Sequence, residues 1–348
     1  MSRLAIKGSA MISPIGTRME DIRGRIERGE TGLCRLDRFA SGRDMLCGEI
    51  RDFDLTEFVT DGRFRRAAPI SQFALASISA ALGKTDTMES GINTAMIMAI
   101  KHGALGYTQS FHRDLISAGP GAVSPIHFSD SVLNAPAGNA SICFGFKGPV
   151  HTVLGGPEAV IKSIRIACRM LETGHADRAI VVSAEELNEL SSYCYTRLGY
   201  PSVSEGAGTL IIEREKPDEQ TADCFIAGAA SECNPADPKS ALRNSLSVCM
   251  EQAGLQVPEI DLVMACMKEP DDCILEGIPT ADLTPFTGYA FATSMLWSTV
   301  LSASAIGTGS APQSIVRTGK VNAKLRNIMV CTADNRGNAA AMILSRID

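Results

Sequence analysis

Few residues of this 348-residue chain have the type and setting for nucleophilic or acid–base catalysis. Cys266 follows a short apolar run and could act as a nucleophile, but cysteine is also a common small buried residue. Glu158 stands at a predicted helix start, where a carboxylate could act as a base but is also favoured by the helix dipole. All five histidines lie in the first half of the chain: His102, His112, His127, His151 and His175. The second half therefore has no imidazole for acid–base work.

The segment around Glu158 has the form of a strand, a tight turn and a helix. The apolar run Val150 to Leu154 predicts a strand, and Gly155 and Gly156 predict the turn. Pro157 suits the first turn of a helix because its missing N–H would be unpaired there, and Gly174 suits the residue just past the end. The apolar positions of this helix cover more than one face, so we expect it to be buried between layers.

This order of elements resembles the β-ketoacyl synthase family of condensing enzymes, which have the thiolase fold. The resemblance spans nearly the whole chain and rests on five motifs in order: Ser13-Pro14-Ile15-Gly16, Val123-Ser124-Pro125 with Asn134-Ala135-Pro136-Ala137-Gly138-Asn139, Gly148-Pro149, Gly174-His175-Ala176-Asp177, and Ala184-Glu185. It implies an α/β fold in which two pseudo-repeated halves form five layers in the order αβαβα.

The resemblance also implies which residues occupy the family's catalytic positions. Pro157 falls where the family carries its acyl-accepting cysteine, whether the count runs forward from Gly148 or backward from Gly174. The other positions are these: Cys266 and Tyr289 for the two histidines, Thr284 for the lysine, and Asn335 for the gating phenylalanine. Proline has no thiol and no N–H for an oxyanion hole, so no catalytic residue is expected.

The chain repeats its core elements, with strands and helices alternating in each half. The predicted order in the first half ends at the strand Gly208 to Ile212, and the second half begins at Phe225. We therefore predict two ketosynthase-like halves, residues 1–215 and residues 222–348, separated within the charged stretch that begins at Glu213.

Composition predicts a cytoplasmic globular protein. Eleven cysteines at irregular spacing, without a C-x-x-C motif, indicate reduced thiols, and no apolar run approaches a membrane span. A net charge of -6 argues against a nucleic-acid partner. We expect no cofactor and no metal.

Other residues are predicted to serve contacts with partners. By the resemblance, the dimer interface and the acyl tunnel would include Lys101, His102, Gly103, Ala104, Phe111, Val150, Thr152 and Leu154. Arg63, Arg65 and Arg66 lie where the family presents basic residues to the acyl carrier protein, although a solvated charge cluster explains them equally well.

These observations together predict a non-catalytic subunit similar to a chain-length factor. Such a subunit pairs with an active ketosynthase and shapes its acyl tunnel in type II polyketide, polyene or fatty acid-like biosynthesis. Two alternatives stay open: a thioester-processing enzyme with relocated residues such as Cys266, Glu158 or His151, and a homodimeric scaffold without an acyl ligand. An adjacent gene for an intact ketosynthase would favour the first reading over both.

Overall fold

A computed structural model describes residues 3–36, 38–39, 45–83, 92–200, 202–215, 222–267, 274–321 and 324–347. The strands are β1 (Arg3–Ile12), β2 (Leu33–Arg35), β3 (Leu46–Gly48), β4 (Thr94–Ile100), β5 (Val150–Leu154), β6 (Arg178–Glu185), β7 (Val203–Ser204), β8 (Gly206–Glu215), β9 (Cys224–Cys233), β10 (Leu262–Ala265), β11 (Thr280–Ala281), β12 (Val316–Thr318), β13 (Asn327–Ala333) and β14 (Asn338–Arg346).

The α-helices of the described residues fall between these strands. They are α1 (Met19–Glu27), α2 (Pro69–Leu82), α3 (Leu105–Ala118), α4 (Pro125–Ser131), α5 (Ala135–Phe144), α6 (Glu158–Glu172), α7 (Glu189–Arg197), α8 (Pro238–Ala253), α9 (Thr284–Thr287) and α10 (Ala292–Thr308).

The main sheet contains the same strand order twice, once in each half of the chain. Its order within the described residues is β12-β11-β10-β13-β14-β9-β1-β8-β6-β4-β5. From the junction outward, β1-β8-β6-β4-β5 matches β9-β14-β13-β10-β11, with the same alternation of antiparallel and parallel pairs. Between β1 and β9 the pairing is Ala5 with Phe225. Residues 216–221, where the chain should divide, lie outside the described residues, so the boundary stays a prediction.

The layers stack in the predicted αβαβα order. Helices α6 and α10 pack against each other and against strands of both halves, so they form the middle layer. Helix α2 covers the first half of the sheet from outside, and α8 covers the second half. Three apolar clusters fill the spaces between these layers, the largest of them around α6 and α10. The fold class predicted from the resemblance is confirmed.

The middle helices differ from the sequence prediction in where they begin. The apolar run from about Tyr289 to Ala305 predicts a helix, but α10 begins at Ala292. Phe291 has φ 52° and ψ -120°, which is incompatible with a helix, and it therefore fixes the start of α10. Helix α6 begins at Glu158 with Pro157 as its N-cap residue, one position later than expected.

Candidate functional site

The turn before α6 is stabilised by Glu158. Pro157 is buried, with φ -55° and ψ -33°, and it offers neither a side-chain nucleophile nor an N–H. The Gly156 N–H donates to Glu158 Oε1 at 3.1 Å, and a Cβ on Gly155 would lie 2.7 Å from the same carboxylate oxygen. The Glu158 side chain thus folds back over Gly155 and Gly156. This contact gives a structural reason for a carboxylate at 158 and for glycines at 155 and 156.

Cys266 lies just after β10 and is hydrogen-bonded to the neighbouring strand β13. Its N–H donates to the Cys331 carbonyl at 2.9 Å, and its carbonyl accepts from Thr332 Oγ1 at 2.6 Å. The residue is 2% exposed. Burial, followed by the charges of Asp282 and Cys331, raises the pKa of its thiol well above the usual range. A thiol of this kind is not a thiolate at neutral pH.

Iodoacetamide should therefore leave Cys266 unmodified in the native protein at pH 8. Cys194 and Cys233 are exposed and serve as internal positive controls, because both should be alkylated under the same conditions. Peptide mapping by mass spectrometry measures all three sites. Alkylation of native Cys266 as fast as that of Cys194 would support a reactive role for it.

Tyr289 is the second residue that the resemblance assigns to a histidine position. It is 6% exposed, and burial is the main cause that raises the pKa of its phenol well above the usual range. The charges of Cys266, Tyr200, Glu158 and Asp334 also contribute. This position therefore holds a protonated phenol and no imidazole.

The resemblance also assigns roles to Thr284 and Asn335. Thr284 begins α9, and its N–H donates to Asp282 Oδ1 at 2.8 Å. Asn335 is exposed at the turn between β13 and β14, where Asp334 accepts from the backbone N–H of Arg336. The side chains at these two positions, a threonine and an amide, bring no amine and no aromatic gate.

A hydrogen-bonded chain of tyrosine, histidine and glutamate lies beside Tyr289. Glu185, at the end of β6, is 1% exposed and its Oε2 lies 3.2 Å from His102 Nδ1. Because the carboxylate holds the ring proton on Nδ1, Nε2 accepts from the Tyr195 hydroxyl at 2.8 Å. Burial, mainly, raises the pKa of Tyr195 to about 12, so the phenol keeps its proton and donates it. Hydroxyl, imidazole and carboxylate stand in the order used to activate a nucleophile.

The ring of Phe291 packs against His102 and Tyr195 of the hydrogen-bonded side chains and against Tyr289. Its ring centroid lies 4.7 Å from that of His102, 4.4 Å from that of Tyr195 and 5.1 Å from that of Tyr289. Its positive φ is costly for a residue with a Cβ, and backbone strain of this kind is concentrated at functional sites. The strained backbone of Phe291 therefore lies where the Tyr195–His102–Glu185 side chains meet the ring of Tyr289.

Neighbouring residues of the segment from Lys101 to Phe111 face different surroundings. Lys101 is exposed, and its backbone N–H donates to Glu185. Gly103 has φ 69°, and a Cβ there would lie 2.9 Å from Leu133. Ala104 is 1% exposed and packs in this chain's own core, unlike the surface residue expected of an interface. Phe111 is half-buried on α3, with its ring centroid 5.6 Å from that of Phe128.

Glu186 fixes the start of α3 relative to α2. Its Oε1 accepts from the Gly106 N–H at 2.9 Å and its Oε2 accepts from the Ile70 N–H at 3.3 Å. Burial raises the pKa of Glu186 to about 7, although both hydrogen bonds act in the opposite direction. The segment that carries Lys101 and Phe111 is thus held by a buried carboxylate.

Strand β5 forms one end of the main sheet and exposes large apolar side chains. Val150 and Leu154 are 42% and 54% exposed, and Thr152 between them is half-buried. These three side chains share one face because alternate residues of a strand point the same way. An apolar sheet edge of this kind is suited to pairing with another chain.

Arg63, Arg65 and Arg66 are exposed on a short 3-10 segment before α2. The guanidinium of Arg63 pairs with Asp61, with Nη2 and Oδ2 2.6 Å apart. The carbonyl of Arg66 accepts from the Tyr107 hydroxyl at 2.7 Å. The cluster is accessible to an acidic partner and equally consistent with solvation, as the sequence already indicated.

Tyr195, Glu185 and Phe291 were not identified as site residues from the sequence. The first two lie 93 and 83 residues from His102, so no local spacing links them. Within the described ranges, no group of three potential ligands suits a metal ion, and no helix has both the length and the apolarity to cross a membrane.

Comparison with known proteins identifies one family. Residues 58–250 match the family model described as beta-ketoacyl synthase, N-terminal domain. The chain is also similar to 3-oxoacyl-[acyl-carrier-protein] synthase 2 of Vibrio harveyi, with 26% identity over 189 residues. That match covers 53% of this chain and 46% of the relative, so the chain spans about half the length of this curated relative.

Solved structures share the fold over nearly the whole chain. The ishigamide ketosynthase/chain length factor superposes with a TM-score of 0.81 at 20% identity, covering 99% of this chain and 100% of that one. The complex AntDE:AntF, a type II polyketide acyl carrier protein with its ketosynthase bound to the hexaketide, superposes with a TM-score of 0.80 at 16% identity. It covers 99% of this chain and 100% of that one.

Proposed function

Because this chain belongs to the beta-ketoacyl synthase family, we propose that it is a non-catalytic ketosynthase-like subunit that pairs with an active ketosynthase and shapes its acyl tunnel. The pathway class would be type II polyketide, polyene or fatty acid-like biosynthesis, in the cytoplasm. A ketosynthase/chain length factor and a complex with an acyl carrier protein are among the structures that share its fold. By that likeness, an acyl carrier protein is a second partner of the assembly.

One observation carries the loss of catalysis in this proposal. Pro157, Cys266 and Tyr289, which the resemblance assigns to catalytic positions, supply neither a reactive thiolate nor an imidazole. The proline also removes an N–H that the family uses in its oxyanion hole, and losing one such donor costs about a hundredfold to a thousandfold in rate.

A continuous exposed apolar surface supports the pairing. We call it the apolar face; it consists of exposed side chains on α3, α4, α5 and β5: Ile116, Ile126, Phe128, Ile142, Val150 and Leu154. Helix α3 packs on α4, α4 on α5, and α5 on β5, so these residues lie on a series of adjoining elements. Exposed apolar patches of this extent mark interaction surfaces. Burying the face in an obligate complex would cover more than about 2,000 Å².

Pro157→Cys alone should not produce condensation. The new thiol would stand at a helix N-terminus, but Cys266 and Tyr289 would still occupy the positions of the two histidines that act with it. Catalytic groups that act together do not restore a reaction when only one of them is put back. The assay is turnover of acyl and malonyl carrier protein by the purified variant, with the wild type as the baseline. Turnover above that baseline would mean that Cys266 and Tyr289 are misplaced.

A specific observation favours a second candidate, a thioester hydrolase built on Tyr195, His102 and Glu185. In that reaction Tyr195 Oη would attack the thioester carbonyl while its proton moves to His102 Nε2. The departing thiol would take that proton, and water would then hydrolyse the tyrosyl ester. The high pKa of Tyr195 places this candidate second.

Release of thiol from acetyl-N-acetylcysteamine separates the two candidates. The non-catalytic subunit should release none above the buffer rate. The hydrolase would release thiol, Tyr195→Phe would abolish the activity, and Tyr193→Phe, on the exposed ring two residues away, would leave it unchanged.

Co-expression with a type II ketosynthase that carries the active-site cysteine tests the proposed function as a whole. Size-exclusion chromatography should recover one stable complex of the two chains. Phe111→Trp should change the length of the partner's products, because this ring is expected beside the tunnel. A stable homodimer that ignores the ketosynthase, or product lengths indifferent to Phe111, would favour the homodimeric scaffold.

A further inference from the structure

A cationic groove lies on the opposite side of β5 from the apolar face. Helix α6 contributes Lys162, Arg165 and Arg169, which recur at helical spacing on one side of the helix, and the ends of the groove carry His151 and His175. The cavity measures about 1,250 Å³, and Glu172 is the acidic residue among the side chains that line it. The floor is apolar, formed largely by α6 and β9.

The groove is cationic although the whole chain has a net charge of -6. Its charges are only weakly compensated: Arg169 lies 3.9 Å from Glu172, Lys162 lies 3.9 Å from Glu158, and Arg165 donates to the Ser231 hydroxyl at 2.8 Å. The side chain of Arg169 is 76% exposed. The positive potential of α6 therefore points out of the molecule, beside the edge of β5.

The geometry of β5 connects this groove to the pairing surface. Val150, Thr152 and Leu154 share the face of the strand beside α5, whereas Val153 packs into the cluster around α6 and His151 lines the groove. Any chain that extended the sheet at β5 would consequently cover the apolar face with one side and the groove with the other.

A second copy of this chain fits that arrangement poorly. Two copies that paired through β5 would be related by a twofold axis, so each would present the same residues to the other. With the axis at Thr152, His151 would lie opposite Val153 of the second copy, and each copy would bring the same groove cations to the interface. Like charges opposed across an interface disfavour that partner.

We propose that the cationic groove selects the partner: it disfavours self-pairing and binds a ketosynthase subunit that presents acidic side chains beside its own edge strand. This inference rests on the proposed function and adds the charge that the partner must carry. Two features support it, the net positive charge of the groove and its continuity with the β5 edge.

Charge reversal tests the inference against the ketosynthase that co-purifies with this chain on co-expression. In low salt, Arg165→Glu/Arg169→Glu should raise the Kd of the complex at least about tenfold, and the effect should shrink in high salt because of screening. Arg243→Glu, an exposed arginine on α8 outside the groove, is the matched control and should change the Kd by less than about twofold. Arg165→Gln/Arg169→Gln removes the charge without adding acid and should give a smaller rise, which covers the case that the reversed variant folds poorly.

A mixing experiment makes the test independent of the ketosynthase. Wild-type protein mixed with Arg165→Glu/Arg169→Glu should associate at least about tenfold more tightly than wild type with itself, as measured by sedimentation. The groove's role would be overturned if the mixed and wild-type samples associated equally tightly, or if the charge reversal left the Kd for the ketosynthase unchanged. Either result would leave the proposed function standing. Binding of coenzyme A to the groove, with the partner Kd unchanged by the reversal, would also overturn it and indicate a small-anion site. Failure of the wild type to bind any ketosynthase would count against the proposed function instead.

Discussion

Val150→Asp/Leu154→Asp should abolish the complex with the ketosynthase at micromolar concentration. Both side chains are exposed at the edge of β5, where the partner strand is expected, and burying two new carboxylates against an apolar surface is costly. Truncating one central interface residue often costs about 2 kcal/mol or more, and two such losses weaken binding by more than about a hundredfold. Sedimentation or titration calorimetry of the purified chains measures this Kd.

The matched control is Val248→Asp on α8, the outer layer farthest from β5. Val248 is 42% exposed, the same fraction as Val150, so it matches Val150→Asp, one of the two substitutions, in residue type and exposure. The control should leave the Kd unchanged. If both variants weakened the complex equally, or neither did, the β5 edge would not be the pairing surface.

Trp297→Ala should cost about 3–5 kcal/mol of the free energy of unfolding. Trp297 is fully buried in α10, its Nε1 donates to the Ala207 carbonyl at 2.8 Å, and a Cβ on Gly206 would lie 2.7 Å from its ring. The side chain therefore joins the middle layer to β8. Because domains are stable by only about 5–15 kcal/mol, much of the stability should be lost.

Urea denaturation of Trp297→Ala and Trp297→Phe separates packing from hydrogen bonding. Phenylalanine keeps much of the packing and loses the indole donor, so it should cost less than alanine. A loss below about 1 kcal/mol for alanine would contradict the role of α10 as the shared middle layer.

The sequence was sufficient for the fold because its local signals agree with one another. Pro69 and Pro238 each mark a helix start, and α2 and α8 begin there. The strand predicted from Val150 to Leu154 is found with those bounds. The start of α10 was wrong by three residues because the positive φ of Phe291 has no signature in a run of apolar residues.

The candidate site was less predictable because its contacts are long-range. Pro157, Cys266 and Tyr289 were assigned to catalytic positions through the resemblance alone, and that assignment stays a prediction. The Tyr195–His102 hydrogen bond joins residues from α7 and the end of β4, which no pattern in the chain associates. The exposure of α3 and α4 likewise depends on packing, since their apolar residues look like core in the sequence.

Native mass spectrometry of the co-expressed pair, incubated with an acyl carrier protein that carries an acyl group, tests the central claim most directly. A 1:1 complex is predicted in which the ketosynthase gains one acyl mass and this chain gains none, because Pro157 offers no nucleophile and the Cys266 thiol is buried and protonated. A stoichiometric acyl adduct on this chain would contradict the proposed loss of catalysis. Detection of the two chains only as separate species, at every concentration, would contradict the pairing.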